Sequence, residues 1–262
     1  MGLLHVRRLG RRRGDELRGR LGRGLAWAGV RRVGAAAGTR LLDVGAVAVA
    51  AGARVTAVDA EPDMVAFAAR AAPDADVRLA TLPHLPFADG ELDAVVGNFV
   101  LNHVGRPRAA PAELRRVTRV GGRIAATVWR APPAAGQTLL GRAVEAAGAS
   151  RPAHLVPLAQ EDDFPRTERG LAELFVAAGL TEVTCETVAW EHRVTAGEWW
   201  SGPGAGAATV GQIVTAQPPA VVAEIKARFT ALSAEFAGPG GVLTLPHAAL
   251  LAVGVPSGAG RL

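Results

Sequence analysis

Cysteine is almost missing from this chain. Cys185 stands alone among 262 residues, which excludes an intramolecular disulfide and leaves no cysteine cluster for a structural metal. Tyrosine does not occur, and Lys226 is the only lysine beside twenty-eight arginines. That usage, with abundant Ala and Gly, is the signature of a GC-rich coding sequence, so part of the arginine excess follows codon choice. No apolar run approaches the roughly 18 residues of a membrane span, and the expectation is a soluble protein of the reducing cytoplasm. His84, His154, His192 and His247 are scattered without ligand spacing, so no metal site is expected. Neither a Gly-x-Ser-x-Gly elbow nor a Walker loop is present.

The formal charge of +5 belongs to one end of the chain. Residues 1–40 hold eleven Arg against Asp15 and Glu16, and the remainder carries eighteen basic and twenty-two acidic residues. The body is therefore mildly acidic. It has no basic stripe interleaved with aromatics, which argues against nucleic acid as a partner. The stretch 1–34, rich in Arg and Gly, reads as a poorly ordered extension.

What the chain does have is an α/β pattern. Leu41, Leu42 and Val44 around Asp43 form a short buried-strand run broken by Gly45, and Val55–Val58 form a second closed by Asp59. Helix is expected over 63–71 and strand over 76–80. Pro83 and Pro86 mark a loop, a fourth strand runs over 93–99, and a helix covers 107–117. Gly121-Gly122 reads as a turn before a fifth strand at 123–129. Helices at 138–147, 169–178 and 219–236 and strands at 181–192 and 241–251 follow. The expected fold is a Rossmann-like, doubly wound, mostly parallel seven-stranded sheet with an antiparallel last strand and a small helical cap. Its cofactor-binding core would occupy 35–130, with cap elements and completion of the sheet in 131–262.

The stretches LLDVG, VDAEPDM, LPFADGELDAVV, NFVLNHV and LRRVTRVGGRI, in this order and spacing, resemble the class I S-adenosylmethionine-dependent methyltransferases, specifically the small-molecule, type 11-like branch with an LPF loop. The resemblance covers residues 37–130. One departure stands out. The family's first strand runs into a DxGxGxG loop, whereas Asp43-Val44-Gly45 is followed by Ala46-Val47-Ala48-Val49. Asp43 and Asp59 are sixteen residues apart, against about 20 in a comparable fingerprint. Only Ala46–Ala53 separate Gly45 from Arg54, fewer than the roughly 10 to 12 residues of an ordinary crossover. Two solutions are open: a distorted parallel crossover, or a turn at Ala51-Gly52 into an antiparallel neighbour. The parallel pattern downstream favours the first.

The resemblance implies S-adenosylmethionine as cofactor and a small-molecule methyl acceptor as partner. Carried over residue by residue, it implies Asp43 and Gly45 at the methionine end and Asp59 on the ribose hydroxyls. Ala60 and Met64 would line the adjoining wall, and Thr81 and Leu82 the adenine, Thr81 replacing an acid often found there. Asn98 and Phe99 would face the meeting point of cofactor and acceptor, or else serve as a strand-end cap and a core aromatic. His103 is the candidate general base, with helix capping as its competing role. Trp199-Trp200 offer either an aromatic wall or core packing. A second class of function also follows: the shortened loop suits a degenerate methyltransferase-like partner or scaffold without cofactor. The acceptor and the oligomeric state are not legible.

Overall fold

The computed structural model describes residues 28–45 and 53–258. The Arg-rich stretch expected to be poorly ordered falls mainly on 1–27, and the crossover on 46–52; both lie outside the described residues. The elements run β1 (Arg40–Val44), β2 (Arg54–Asp59), α1 (Pro62–Ala71), β3 (Asp76–Leu79), β4 (Leu92–Asn98), α2 (Ala110–Val117), β5 (Thr118–Trp129), α3 (Ala135–Ala146), α4 (Glu168–Ala177), β6 (Leu180–Thr195), α5 (Ala196–Ser201), α6 (Ala208–Thr215), α7 (Pro219–Ser233) and β7 (Val242–Pro256). The strands form one seven-stranded sheet in the order β3-β2-β1-β4-β5-β7-β6, parallel from β3 to β5 and antiparallel between β5 and β7.

The expected Rossmann-like architecture is what the chain adopts. β1 and β2 pair in parallel with Arg40 opposite Arg54 and Val44 opposite Val58, which excludes the antiparallel turn. The reason is reach. Returning along a strand of this length covers about 13 Å at about 3.3 Å per residue, well within the span of the short connection.

A second departure lies in β5. Gly121-Gly122, expected to be a turn, sits inside the strand as an irregularity: Leu92 pairs with Thr118, and two residues later Ala94 pairs with Arg123. Gly121 adopts φ +72°, and a Cβ on Gly122 would come within 2.6 Å of the Asp93 carbonyl oxygen. Missing side chains thus let the extra residues bulge out without ending the strand.

The chain divides into two units. One comprises the described residues of 28–132, 158–188 and 249–258. Each face of its sheet has its own core. Val30 and Val33, from and just after a helical turn at 28–32, pack with Leu41, Val55, Val96 and Ala125 on one face. Leu42, Val44, Val95 and Ile124 pack on the other with Leu82, Leu85 and Phe87 of the LPF loop and with Leu114 and Val117 of α2. Proline at the start of α1 fits its first turn, and Thr167 accepts the Gly170 N–H to cap α4.

The other unit, over 133–157 and 189–248, contains α3, α5, α6 and α7. Its core is built on Leu139, Ala143, Val214, Ile225, Phe229 and Leu245. Trp199 and Trp200 pack against this core, and Trp200 lies 5.4 Å from the Phe229 ring. Glu198 is taken up by a capping box with Thr195. Among the described residues no helix is long and apolar enough to cross a membrane.

Candidate active site

Register decides what the candidate residues can do together. Asp43 pairs with Ala57 of β2 and with Val96 of β4. Side chains alternate along a strand, so Asp59, two residues beyond Ala57, and Asn98, two beyond Val96, lie on the same face of the sheet as Asp43. The three stand at the carboxyl ends of adjacent parallel strands. β1 has β2 on one side and β4 on the other, so this is where the strand order reverses and where open α/β sheets bind ligands.

Each residue is held there for a local reason. Asp43 is buried, with 1% of its surface exposed. Gly45 leaves β1 at φ +94°, a conformation a side chain would strain, while its N–H donates to the Val58 carbonyl at 2.8 Å. A Cβ placed on it would lie 3.8 Å from the Asn98 carbonyl oxygen, so the ends of β1 and β4 approach closely here. Asp59 accepts the Glu61 N–H at 2.9 Å, a turn that fixes the carboxylate at the end of β2. Exposed Ala60 and half-buried Met64 follow, Met64 on α1.

The end of β4 is a strained corner. Phe99 sits at φ 59°, ψ 6°, the left-handed region, which costs a residue bearing a Cβ about 1 to 2 kcal/mol. Its N–H donates to the Thr127 hydroxyl at 3.0 Å, and the same hydroxyl donates to Asn98 Oδ1 at 2.6 Å. The Phe99 ring stacks on Trp129, with centroids 3.9 Å apart and planes at 23°. A 3-10 turn over Val100–Asn102 then leads to exposed His103, whose N–H donates to the Val100 carbonyl.

One candidate turns away from the Asp43 face. Leu82 is buried in the core that contains Leu42 and Val44, the face opposite Asp43, and Thr81 beside it is exposed. Thr127 and Trp129 were not anticipated. Both lie on the Asp43 face of β5, Thr127 directly opposite Asn98. The signal that could have found them is the alternation of β5: once Asn98 is placed at a strand end, the matching end of the neighbouring strand must supply residues beside it.

The LPF loop is clamped from α2. Arg116 donates to the carbonyls of Phe87 at 2.8 Å and Leu85 at 3.1 Å, and to Asp89 and Glu113. Glu113 in turn accepts the Leu85 N–H at 2.7 Å. The Arg116 guanidinium, followed by the Leu85 N–H, holds the Glu113 carboxyl below its ordinary range against a desolvation that pushes it up. Asp93, at the opposite end of β4 from Asn98, is held well below the carboxylate range by Arg40 first and Arg119 after it. That cluster is structural.

Residues 33–126 match the methyltransferase domain family. Over 107 residues the chain is 37% identical to a demethylmenaquinone methyltransferase of Renibacterium salmoninarum, a match covering 38% of this chain and 45% of that protein. The chain thus spans less than half the length of this curated relative. Among solved structures, YcgJ of Bacillus subtilis superposes with a TM-score of 0.54 at 19% identity, covering 88% of this chain and 97% of that one. Haemonchus contortus phosphoethanolamine N-methyltransferase 2, solved with S-adenosyl-L-methionine, superposes with a TM-score of 0.54 at 12% identity, covering 90% and 53%. These two likenesses are likenesses of fold. The motifs, the strand order and the family match agree: residues 33–126 are similar to the class I S-adenosylmethionine-dependent methyltransferases and adopt their fold.

Proposed function

We propose that the protein transfers a methyl group from S-adenosylmethionine to a small-molecule acceptor. The observation that carries this reading is the placement of Asp43, Asp59 and Asn98 on one face at the carboxyl ends of β1, β2 and β4. The donor set suits a nucleoside cofactor: a glycine at positive φ where backbone can approach, and a carboxylate held by the Glu61 N–H that can accept from vicinal hydroxyls. When bound, S-adenosylmethionine supplies an electrophilic methyl on a sulfonium. In this reading Asp59 holds the ribose, Asp43 and Gly45 border the methionine end, and Ala60, Met64 and Thr81 flank the nucleoside. Asn98 and Phe99 separate cofactor from acceptor. His103 would take up the proton that the acceptor releases on methylation. Most of the acceleration comes from in-line positioning and exclusion of water.

Titration calorimetry with S-adenosylmethionine and S-adenosylhomocysteine tests this. Micromolar-range binding is expected, weakened roughly tenfold or more by Asp59→Ala, the loss of a charged hydrogen-bond acceptor. The Ala46–Val49 sequence, without the family's later glycines, favours a second reading as a noncatalytic scaffold. A folded protein that binds neither compound would establish that reading and end the first.

A further inference from the structure

A cleft of about 430 Å³ opens just beyond β5, lined by Arg130, Ala131, Thr167, Glu168, Arg169 and Thr187. That volume falls among small-molecule sites, which run from about 300 to 1,000 Å³. Arg130 follows the last residue of β5, Thr187 lies on β6, and Thr167 to Arg169 are the cap and first turn of α4. α4 packs through Leu171, Leu174 and Phe175 on the core that contains Leu42 and Val44, so the cleft belongs to the sheet face opposite Asp43.

What sets the cleft apart is an uncommitted charge. Among the described residues, the half-buried Arg130 guanidinium makes no hydrogen bond and no ion pair. Other arginines of this unit are taken up: Arg166 pairs with Asp163, Arg108 donates to the Asp163 carbonyl, and Arg169 gives its Nε–H to Glu173 at 2.7 Å. A cation drawn partly out of water without a counter-charge favours an anion that can reach it. Glu168 is turned to another task, accepting the Thr187 hydroxyl. The first turn of α4 is not the source of recognition, since the Thr167 hydroxyl already takes the Gly170 N–H and Glu168 offsets the helix dipole. The walls carry the charges of Arg130 and Arg169 against that of Glu168, leaving one positive charge in excess.

We propose that this cleft is a second binding site, for a small molecule carrying one carboxylate, held by two parallel N–H groups of the Arg130 guanidinium. A planar carboxylate matches the guanidinium fork, and its single charge equals the excess in the walls. A phosphate dianion exceeds it and is repelled by Glu168. The site stands apart from the methyl-transfer reading, because it lies on the other face of the sheet from Asp43, Asp59 and Asn98.

The test is a ligand-observed NMR titration of the full chain, at low ionic strength, with benzoate, with benzamide as a neutral counterpart of the same shape, and with phenyl phosphate. Benzoate is expected to bind in the millimolar range, roughly tenfold or more tighter than benzamide. Arg130→Gln should abolish that difference, and Arg130→Lys should restore only part of it, because an ammonium lacks the fork. Glu168→Gln should raise the affinity for phenyl phosphate more than that for benzoate. Equal binding of benzoate and benzamide would overturn the proposal, as would a difference that survives Arg130→Gln, or phenyl phosphate binding more tightly than benzoate. If Arg130→Gln fails to fold, Arg130→Lys and the comparison of benzoate with benzamide still decide. Saturating S-adenosylhomocysteine should leave benzoate affinity within about twofold. Displacement of benzoate by that compound would put the carboxylate at the cofactor end and overturn the second site alone; benzoate binding by a protein that does not bind S-adenosylhomocysteine overturns the methyl-transfer reading alone.

Discussion

Phe99 shows how a single residue carries information that no pattern of residue types announces. NFV reads as the end of an apolar strand, and the left-handed turn exists because the N–H of Phe99 finds Thr127, twenty-eight residues on, at 3.0 Å. Asp59 is the contrary case: an acid closing a short β-branched run is legible from the sequence, and its hydrogen bond to the Glu61 N–H is local. Cys185 lies half-buried in β6. Burial first, and then the charges of Glu168 and Glu186, push its thiol up to about 12. The thiolate is the reactive form. Native protein should therefore resist iodoacetamide at pH 7.5 and be labelled quickly in urea, and rapid labelling of the folded chain would contradict this environment.

At the scale of elements, the LPF loop and α2 form one device. LPF and LRRV are separate motifs in the sequence; in three dimensions Arg116 reads the loop's carbonyls while Glu113 holds its Leu85 amide. Carbonyls at such a bend need donors, and a planar guanidinium with five N–H groups can serve several at once. Arg116→Met keeps the stem and removes the donors. It should cost about 2 kcal/mol in urea unfolding, and Arg116→Lys should recover only part of that, because a point charge cannot serve the same fork of acceptors. A methionine variant as stable as the parent would show that the clamp is dispensable. The bulge in β5 is another element-scale lesson. Two adjacent glycines read as a turn, yet pairing on both sides kept the strand continuous.

At the scale of the whole molecule, residues distant in sequence meet to make a pH-sensitive core. His192 and His247 looked scattered, but their rings lie 5.8 Å apart, with Trp199 5.4 Å from His192 and Trp190 5.4 Å from His247. Burial lowers His247 to about 4, opposed by its hydrogen bond to the Leu245 carbonyl, with His192 lowering it further. His192 is also lowered by burial, and Glu198 opposes that shift. A histidine whose folded value lies below its unfolded value binds more protons when unfolded. Its contribution is thus complete above the ordinary value near 6.5 and is lost as pH falls toward 4. Urea unfolding followed by indole fluorescence should show stability falling by about 3 kcal/mol from pH 7 to pH 4 on account of His247. His247→Phe should flatten that slope, and an unchanged slope would assign the effect to other groups.

The sequence by itself determined the order of strands and helices, the parallel character of the sheet, the cofactor-fold motifs and the acids that close β1 and β2. These depend on local periodicity, on glycine and proline, and on residue type at a strand end. Tertiary structure alone decided that Asp43, Asp59 and Asn98 share a face, that Leu82 turns to the other, and that Thr127 and Trp129 join the site. The physical reason is register: a shift of one residue between neighbouring strands moves every side chain to the opposite face, and pairing across 14 to 53 residues of chain leaves no mark on any short stretch of it.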